Sequence, residues 1–191
     1  MPRMYPFVPL PTVDDVSAAC KRFDDENQLV EGALADLLHV FPTNKNPQQV
    51  LVKVVTLNRL YSTQILAVHR MAQRIAYEIE DVDTAMADRS LGVVDEIANL
   101  DVGEKSIRFF SFATKFCSWH HPDIYPIQDS RVDKYLTALQ RQHPFADFGR
   151  ESRWSYPKFF DVMTALRETF NLTAFTFKQI DKFIWTNGGA K

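Results

Sequence analysis

Four side chains in the C-terminal half have types and spacing that could do chemistry. Lys105, Arg108 and Lys115 lie in the phenylalanine-rich segment EKSIRFFSFATKFCSW (104–119), and Asp129 follows a proline-bounded loop. On a helix the three cations fall within about 80° of one another, and apolar residues fill most of the remaining circumference. Because burying an unpaired cation is costly, these side chains must face water, a carboxylate or an anionic ligand.

Two simpler interpretations of these residues stay open. The lysines could extend their ammonium groups into water or pair with acids on a neighbouring helix. Asp129 directly precedes the predicted helix SRVDKYLTALQRQ (130–142), where an aspartate is a good N-cap. Capping and chemistry do not exclude each other at that position.

The rest of the chain predicts the helices that must position these residues. Apolar residues recur at helical spacing, Thr12 and Asn46 are good N-caps, and Pro47 suits a first helical position. The run VLVKVV (50–55) could form a strand, but no partner strand or hairpin turn is visible, so we favour helix. We therefore predict an all-α fold of about eight to ten helices, over residues 12–25, 29–41, 47–61, 62–80, 91–100, 104–119, 130–142, 156–170 and 175–185.

The order of features between residues 90 and 135 resembles the helix-hairpin-helix DNA glycosylase superfamily. A predicted helix, the short turn LDVG (100–103) and a second helix are followed by the acid-bearing segment PIQDSRV (126–132). The residues that carry this resemblance are Leu100, Val102, Gly103 and Lys105, then Pro126, Asp129 and Val132.

The resemblance implies a compact multi-helix domain with a central helix-hairpin-helix that binds duplex DNA, damaged or modified, and cleaves N-glycosidic bonds. Asp129 would be the carboxylate that stabilises positive charge at the sugar or activates a nucleophile. Lys105, or its rival Lys115, would be the amine that attacks C1′ in an AP-lyase reaction. Amides at a helix N-terminus would hold phosphate. The implied DNA contacts are Val102, Gly103, Lys105, Ser106, Arg108 and Arg131, and the implied base pocket is Phe112, Trp119, His120 and Tyr125.

Charge and composition limit the partners. The net charge of −2 argues against a generally basic nucleic-acid coat. However, residues 101–191 carry 13 Lys and Arg against 10 Asp and Glu, whereas residues 1–100 carry 9 against 14. This asymmetry allows a local anionic partner in the C-terminal half. We expect no metal, since His120, His121 and Cys117 lack ligand spacing, and no cofactor, since no nucleotide-binding glycine motif occurs.

The N-terminal segment MPRMYPFVPLP (1–11) is too interrupted by proline for a signal peptide, and no apolar run reaches membrane-spanning length. We therefore expect a cytoplasmic protein without a membrane partner. We expect one all-α domain, or two lobes over 1–89 and 90–191 with a cleft between them. The alternative function is a non-catalytic helical module that binds nucleic acid or protein, for example in a bacterial or phage regulatory or defence system.

Overall fold

The computed structural model describes residues 7–149 and 151–188, and these residues are predominantly helical. The N-terminal segment over residues 1–11 lies partly outside these ranges. Within them, no helix is long and apolar enough to cross a membrane. The helices are α1 (Val13–Val40), α2 (Pro47–Tyr61), α3 (Val68–Gln73), a π-helix (Arg74–Glu78), α4 (Val82–Ala87), α5 (Gly92–Ala98), α6 (Phe110–His120), α7 (Ser130–Gln142), a 3-10 helix (Glu151–Arg153), α8 (Tyr156–Thr169) and α9 (Phe177–Asn187). The predicted helical class is confirmed.

Side-chain caps explain where two of these helices begin. The side chain of Asn46 accepts hydrogen bonds from backbone N–H groups in the first turn of α2, and Pro47 occupies the first helical position. Asp129 Oδ1 accepts from the backbone N–H groups of Arg131 at 2.9 Å and Val132 at 3.0 Å, at the start of α7. These two predicted caps are confirmed, and the third, Thr12, accepts from the Asp15 N–H at 3.2 Å.

The first two predicted helices are one helix. α1 runs for 28 residues from Val13 to Val40, whereas we predicted a break between residues 25 and 29. The intervening residues Glu26, Asn27 and Gln28 include no glycine or proline that would end a helix. Asn27 instead donates from its side chain to the backbone carbonyl of Phe23 at 2.9 Å, one turn earlier.

Residues 99–108 form a β-hairpin. Its antiparallel strands are β1 (Asn99–Val102) and β2 (Lys105–Arg108), with Leu100 opposite Ile107. Gly103 takes the first position of the two-residue turn with a φ of 63°, which glycine adopts without strain.

This hairpin overturns the predicted helix over 104–119 and the prediction that no strand pair occurs. α6 begins at Phe110, so Lys105 and Arg108 lie on β2 and share no helical face with Lys115. The phosphate-binding helix N-terminus expected near Gly103 is also absent from this part of the described chain, because β2 and not a helix follows the turn. The predicted helical arrangement of the three cations was wrong because it applied one helical period to a segment whose backbone changes from extended to helical.

The predicted helix over 62–80 begins later than expected. Residues 62–67 form a turn, in which Ser62 has a φ of 50° and Gln64 a φ of 61°. These left-handed residues interrupt the helical path, so α3 starts at Val68 and continues into the π-helix at Arg74.

The chain divides into two compact units. Unit 1 contains Met1–Gln28 and Pro126–Lys191, and unit 2 contains Leu29–Tyr125. This division differs from lobes over 1–89 and 90–191, because the first 28 residues group with the C-terminal ones. In unit 2, the fully buried rings of Phe112 and Phe116 lie 5.8 Å apart at the centre of α6, so that helix forms part of a core.

Candidate functional site

The amine of Lys115 lies in a small cluster formed by α2 and α6. Only 4% of the Lys115 surface is exposed. Its Nζ donates to Ser111 Oγ at 2.8 Å, one turn earlier on α6, and lies 5.6 Å from the centre of the Tyr61 ring. The indole N–H of Trp119 donates to Tyr61 Oη at 2.8 Å. We call Tyr61, Ser111, Lys115 and Trp119 the Lys115 cluster.

This arrangement holds a flexible side chain in one place. The face of an aromatic ring attracts a cation, so the Tyr61 ring and the Ser111 hydroxyl both favour the observed position of the amine. An amine held beside an aromatic face can bind an anion, or it can attack an electrophilic carbon when it is neutral. The Lys115 cluster therefore has the parts of a nucleophilic or anion-binding site.

A second polar cluster is buried in unit 2. Lys53 is fully buried, and Asn44 is 2% exposed. Lys53 Nζ donates to Asn44 Oδ1 at 2.5 Å and to two backbone carbonyls just after α1 at 3.2 and 2.9 Å. Asn44 Nδ2 donates to Asp83 Oδ1 at 2.7 Å and lies 3.4 Å from His120 Nε2. We call Asn44, Lys53, Asp83 and His120 the Asn44 network.

Burial sets the charges in the Asn44 network. It lowers the pKa of Lys53 to about 8, against the opposing attraction of Asp83. Burial, with smaller contributions from the charges of Lys53 and His121, lowers the pKa of His120 to about 3. At pH 7 the network therefore holds one buried cation and a neutral imidazole, whose Nε2 is able to accept from Asn44. Every group is matched to a partner, as a stabilising network requires.

A cavity of about 350 Å³ lies beside this network in unit 2. Its lining includes both polar and aliphatic residues, namely Asn44, Lys45, Ile75, Ala76, Ile79, Asp81, Val82 and Asp83. The cavity is thus lined by different residues from the Lys115 cluster, and the two are separate features of unit 2.

The hairpin residues expected to contact DNA differ in their surroundings. Arg108 forms an ion pair with Asp95 and donates to Asn99 Oδ1 at 3.0 Å, so its charge is met within unit 2. Lys105 and Ser106 are exposed on β2. Gly103 is exposed and Val102 is half-buried at the turn.

Asp129 and Arg131 lie next to one another at the start of α7 in unit 1. Asp129 caps the helix as described above. The guanidinium of Arg131 lies 3.7 Å from the centre of the Trp185 ring and donates to the Trp185 carbonyl at 2.7 Å. The indole ring and the backbone carbonyl of Trp185 therefore both hold the Arg131 guanidinium.

The four residues expected to form a base pocket have three different surroundings. Phe112 and Tyr125 are fully buried, and Tyr125 Oη lies 3.1 Å from the backbone carbonyl of Ser90. His120 belongs to the Asn44 network. Trp119 is half-buried in the Lys115 cluster. Of the candidate site residues, the structure thus brings Lys115 and Trp119 together through Tyr61.

Sequence reasoning missed Tyr61 and most of the Asn44 network. Tyr61 is 58 positions from Trp119, and no local pattern announces their hydrogen bond. Lys53 did carry a signal, because it is a single cation inside the apolar run VLVKVV (50–55). A buried cation needs several acceptors, so that run predicts a polar cluster around it.

The described residues define a predominantly helical protein with a buried lysine on α2 and another on α6. A family model described as HI_0787_N, an N-terminal domain, matches residues 15–124, and the chain therefore belongs to this family. A relative from Haemophilus influenzae (strain ATCC 51907 / DSM 11121 / KW20 / Rd), described as an uncharacterized protein, is 34% identical over 141 residues, or 74% of this chain and 67% of the relative. No solved structure matches the chain. The family match includes the Lys115 cluster and the Asn44 network and ends before Asp129.

Proposed function

We propose that this protein binds DNA and cleaves N-glycosidic bonds, with Lys115 as the amine nucleophile and Asp129 as the carboxylate. The neutral amine attacks C1′ as the bond from C1′ to the base breaks and the base takes up a proton. Opening of the sugar ring and loss of a proton from the amine then leave a Schiff base. Asp129 stabilises the positive charge that develops on the sugar.

One observation carries the choice of Lys115 over Lys105. Lys115 is almost fully buried, and its amine is held by Ser111 and Tyr61, whereas Lys105 is exposed on β2. A nucleophile works best when its position is fixed before the substrate binds. Lys105 suits a different role, because an exposed cation at a hairpin can contact phosphate without reacting.

Borohydride trapping on duplex DNA with an abasic site tests this proposal. Borohydride delivers hydride to the imine carbon and converts a Schiff base into a stable amine adduct. We expect the wild type to form an adduct and Lys115→Ala to form none. At saturating DNA, Lys105→Ala is expected to form the adduct, although its affinity should fall less steeply with salt because one phosphate contact is lost. An adduct in Lys115→Ala that disappears in Lys105→Ala would reverse the assignment.

The charge of Asp129 can be separated from its role as a cap. Asparagine caps helices about as well as aspartate, so Asp129→Asn should change the free energy of unfolding by about 0.5 kcal/mol or less. If the carboxylate stabilises the transition state, base release should slow by about 100-fold or more. Single-turnover base release and urea unfolding measure the two effects, and base release at the wild-type rate would leave Asp129 with capping alone.

The non-catalytic module is the second candidate, and the helix cap at Asp129 favours it. Asp129 Oδ1 already accepts from two backbone N–H groups, which gives this carboxylate a structural role that needs no catalysis. Salt-dependent DNA binding by a wild type that forms no adduct and releases no base would select this candidate over the glycosylase.

A further inference from the structure

Tyr61 connects two members of the Lys115 cluster. Its ring lies beneath the Lys115 amine, with Nζ 5.6 Å from the ring centre, and its hydroxyl oxygen accepts the Trp119 indole N–H at 2.8 Å. Trp119 and Lys115 are four positions apart on α6, so they project from the same face of that helix. The phenol of Tyr61 thus reaches across from α2 and contacts both of them.

The turn after Tyr61 is built to fix the end of α2. Tyr61 is the last residue of this helix, and Ser62 and Gln64 follow with φ values of 50° and 61°. The side chain of Asn58 clamps this turn, since its Oδ1 accepts from the Thr63 hydroxyl and the Ile65 N–H at 2.9 Å each, and its Nδ2 donates to the Ile65 carbonyl at 2.9 Å. Non-glycine residues in the left-handed region persist only when neighbouring contacts hold them there. A turn held in this way limits the freedom of the adjacent Tyr61.

We propose that Tyr61 is the positioning residue of the Lys115 amine. The inference rests on the proposed function, because it assigns the residue that aims the nucleophile of that reaction. Tyr61 acts through Lys115, with its ring holding the amine over α6 and its hydroxyl group holding the ring against Trp119. Removing the ring takes away one of the contacts that hold the amine, which keeps its hydrogen bond to Ser111, whereas removing only the hydroxyl group keeps the ring contact.

Tyr61→Leu and Tyr61→Phe form a matched pair for the test. In single-turnover trapping at saturating DNA, Tyr61→Leu should react about 10–100-fold more slowly than the wild type, because a small misplacement of a reacting group has an effect of this size. Tyr61→Phe should restore the rate to within about 3-fold of wild type, since the ring is kept. The dissociation constant for DNA should not change in either variant. A merely structural role would instead appear as a loss of stability in urea unfolding, without rescue of the rate by phenylalanine.

A second measurement needs no DNA. Acetic anhydride labels free amines, and peptide mass spectrometry reports the labelling of Lys115 relative to Lys45, whose side chain is 73% exposed. Labelling of Lys115 should rise several-fold in Tyr61→Leu and stay near the wild-type level in Tyr61→Phe. Tyr61→Met is the second variant in case Tyr61→Leu does not fold, because it also removes the aromatic ring and should also raise Lys115 labelling.

The two readouts separate failure of the inference from failure of the proposed function. Wild-type labelling of Lys115 in every folded variant that lacks the Tyr61 ring would overturn the role of Tyr61, whatever the DNA result. A wild type that forms no adduct would overturn the proposed nucleophile. In that case, a rise in labelling that is specific to the loss of the ring would still support Tyr61 as the residue that positions this amine.

Discussion

Replacing Asn44 with alanine is expected to lower the free energy of unfolding by about 2–3 kcal/mol. The Asn44 side chain is nearly fully buried and joins a buried cation to a carboxylate. Alanine removes the oxygen that accepts from Lys53 and the amide that donates to Asp83. The buried Lys53 cation then loses one of its three acceptors and the half-buried Asp83 loses a donor, and losses of this kind exceed those of most surface substitutions.

The alanine variant keeps one hydrogen-bond donor of Asn44, its backbone N–H. The Asn44 backbone N–H also donates to Asp83, at 2.9 Å to Oδ2 and 3.2 Å to Oδ1, and alanine keeps this donor. The expected loss is therefore that of the side-chain bonds alone. Urea unfolding at pH 7 measures it as a lower midpoint at an unchanged slope.

Lys45→Ala is the matched control for Asn44→Ala. Lys45 is the next residue, its side chain is 73% exposed, and its nearest carboxylate contact is 3.9 Å long, to Asp81. An exposed pair of this kind contributes little, so the control should change the free energy of unfolding by about 0.5 kcal/mol or less. Equal effects of the two substitutions would mean that the Asn44 network adds no stability beyond that of an exposed side chain.

Local chemistry explains which parts of the fold could be predicted from the sequence. Asn46 with Pro47, and Asp129 before α7, satisfy N–H groups only two or three residues away, so a short window of sequence contains the whole interaction. The hairpin over 99–108 is also local, but this segment was predicted as a turn followed by a helix. Its pairing of Leu100 with Ile107 depends on the turn at Gly103. A helix that is predicted to begin at residue 104 does not allow this pairing.

Most partners within the polar clusters could not be predicted, because they are distant in sequence. Asn44 lies 39 positions from Asp83 and 76 from His120, and which residues meet is decided by how the helices pack. The choice between the two candidate nucleophiles could not be made from the sequence either. Lys105 and Lys115 were equivalent in the sequence, and only the hairpin and the contact with Tyr61 distinguish an exposed amine from a buried one. The sequence thus identifies residues that could do chemistry, whereas their partners are seen only in the structure.

The protein should lose stability as the pH falls below about 6.5, and His120 should cause much of that loss. Burial lowers the pKa of His120 in the folded state to about 3, while an unfolded histidine takes up a proton near pH 6.5. Between these values the unfolded state binds the extra proton, so acid favours unfolding. His120 contributes its full stabilisation above the unfolded pKa and loses it progressively as the pH approaches the folded pKa. The loss from this group alone should be on the order of 2 kcal/mol at pH 5 and 3 kcal/mol at pH 4.

His120→Gln isolates this contribution, because the glutamine carbonyl can still accept from Asn44 but does not titrate. Urea unfolding at pH 7, 6, 5 and 4 should give a wild-type free energy that falls more steeply than that of His120→Gln, and the difference between the two curves should follow the sizes given above. His39→Gln, which replaces an exposed histidine in the last turn of α1, is the control and should follow the wild-type curve. Parallel curves for wild type and His120→Gln would mean that the imidazole gains a proton without leaving its buried position, and the Asn44 network would then have to accommodate a second cation beside Lys53.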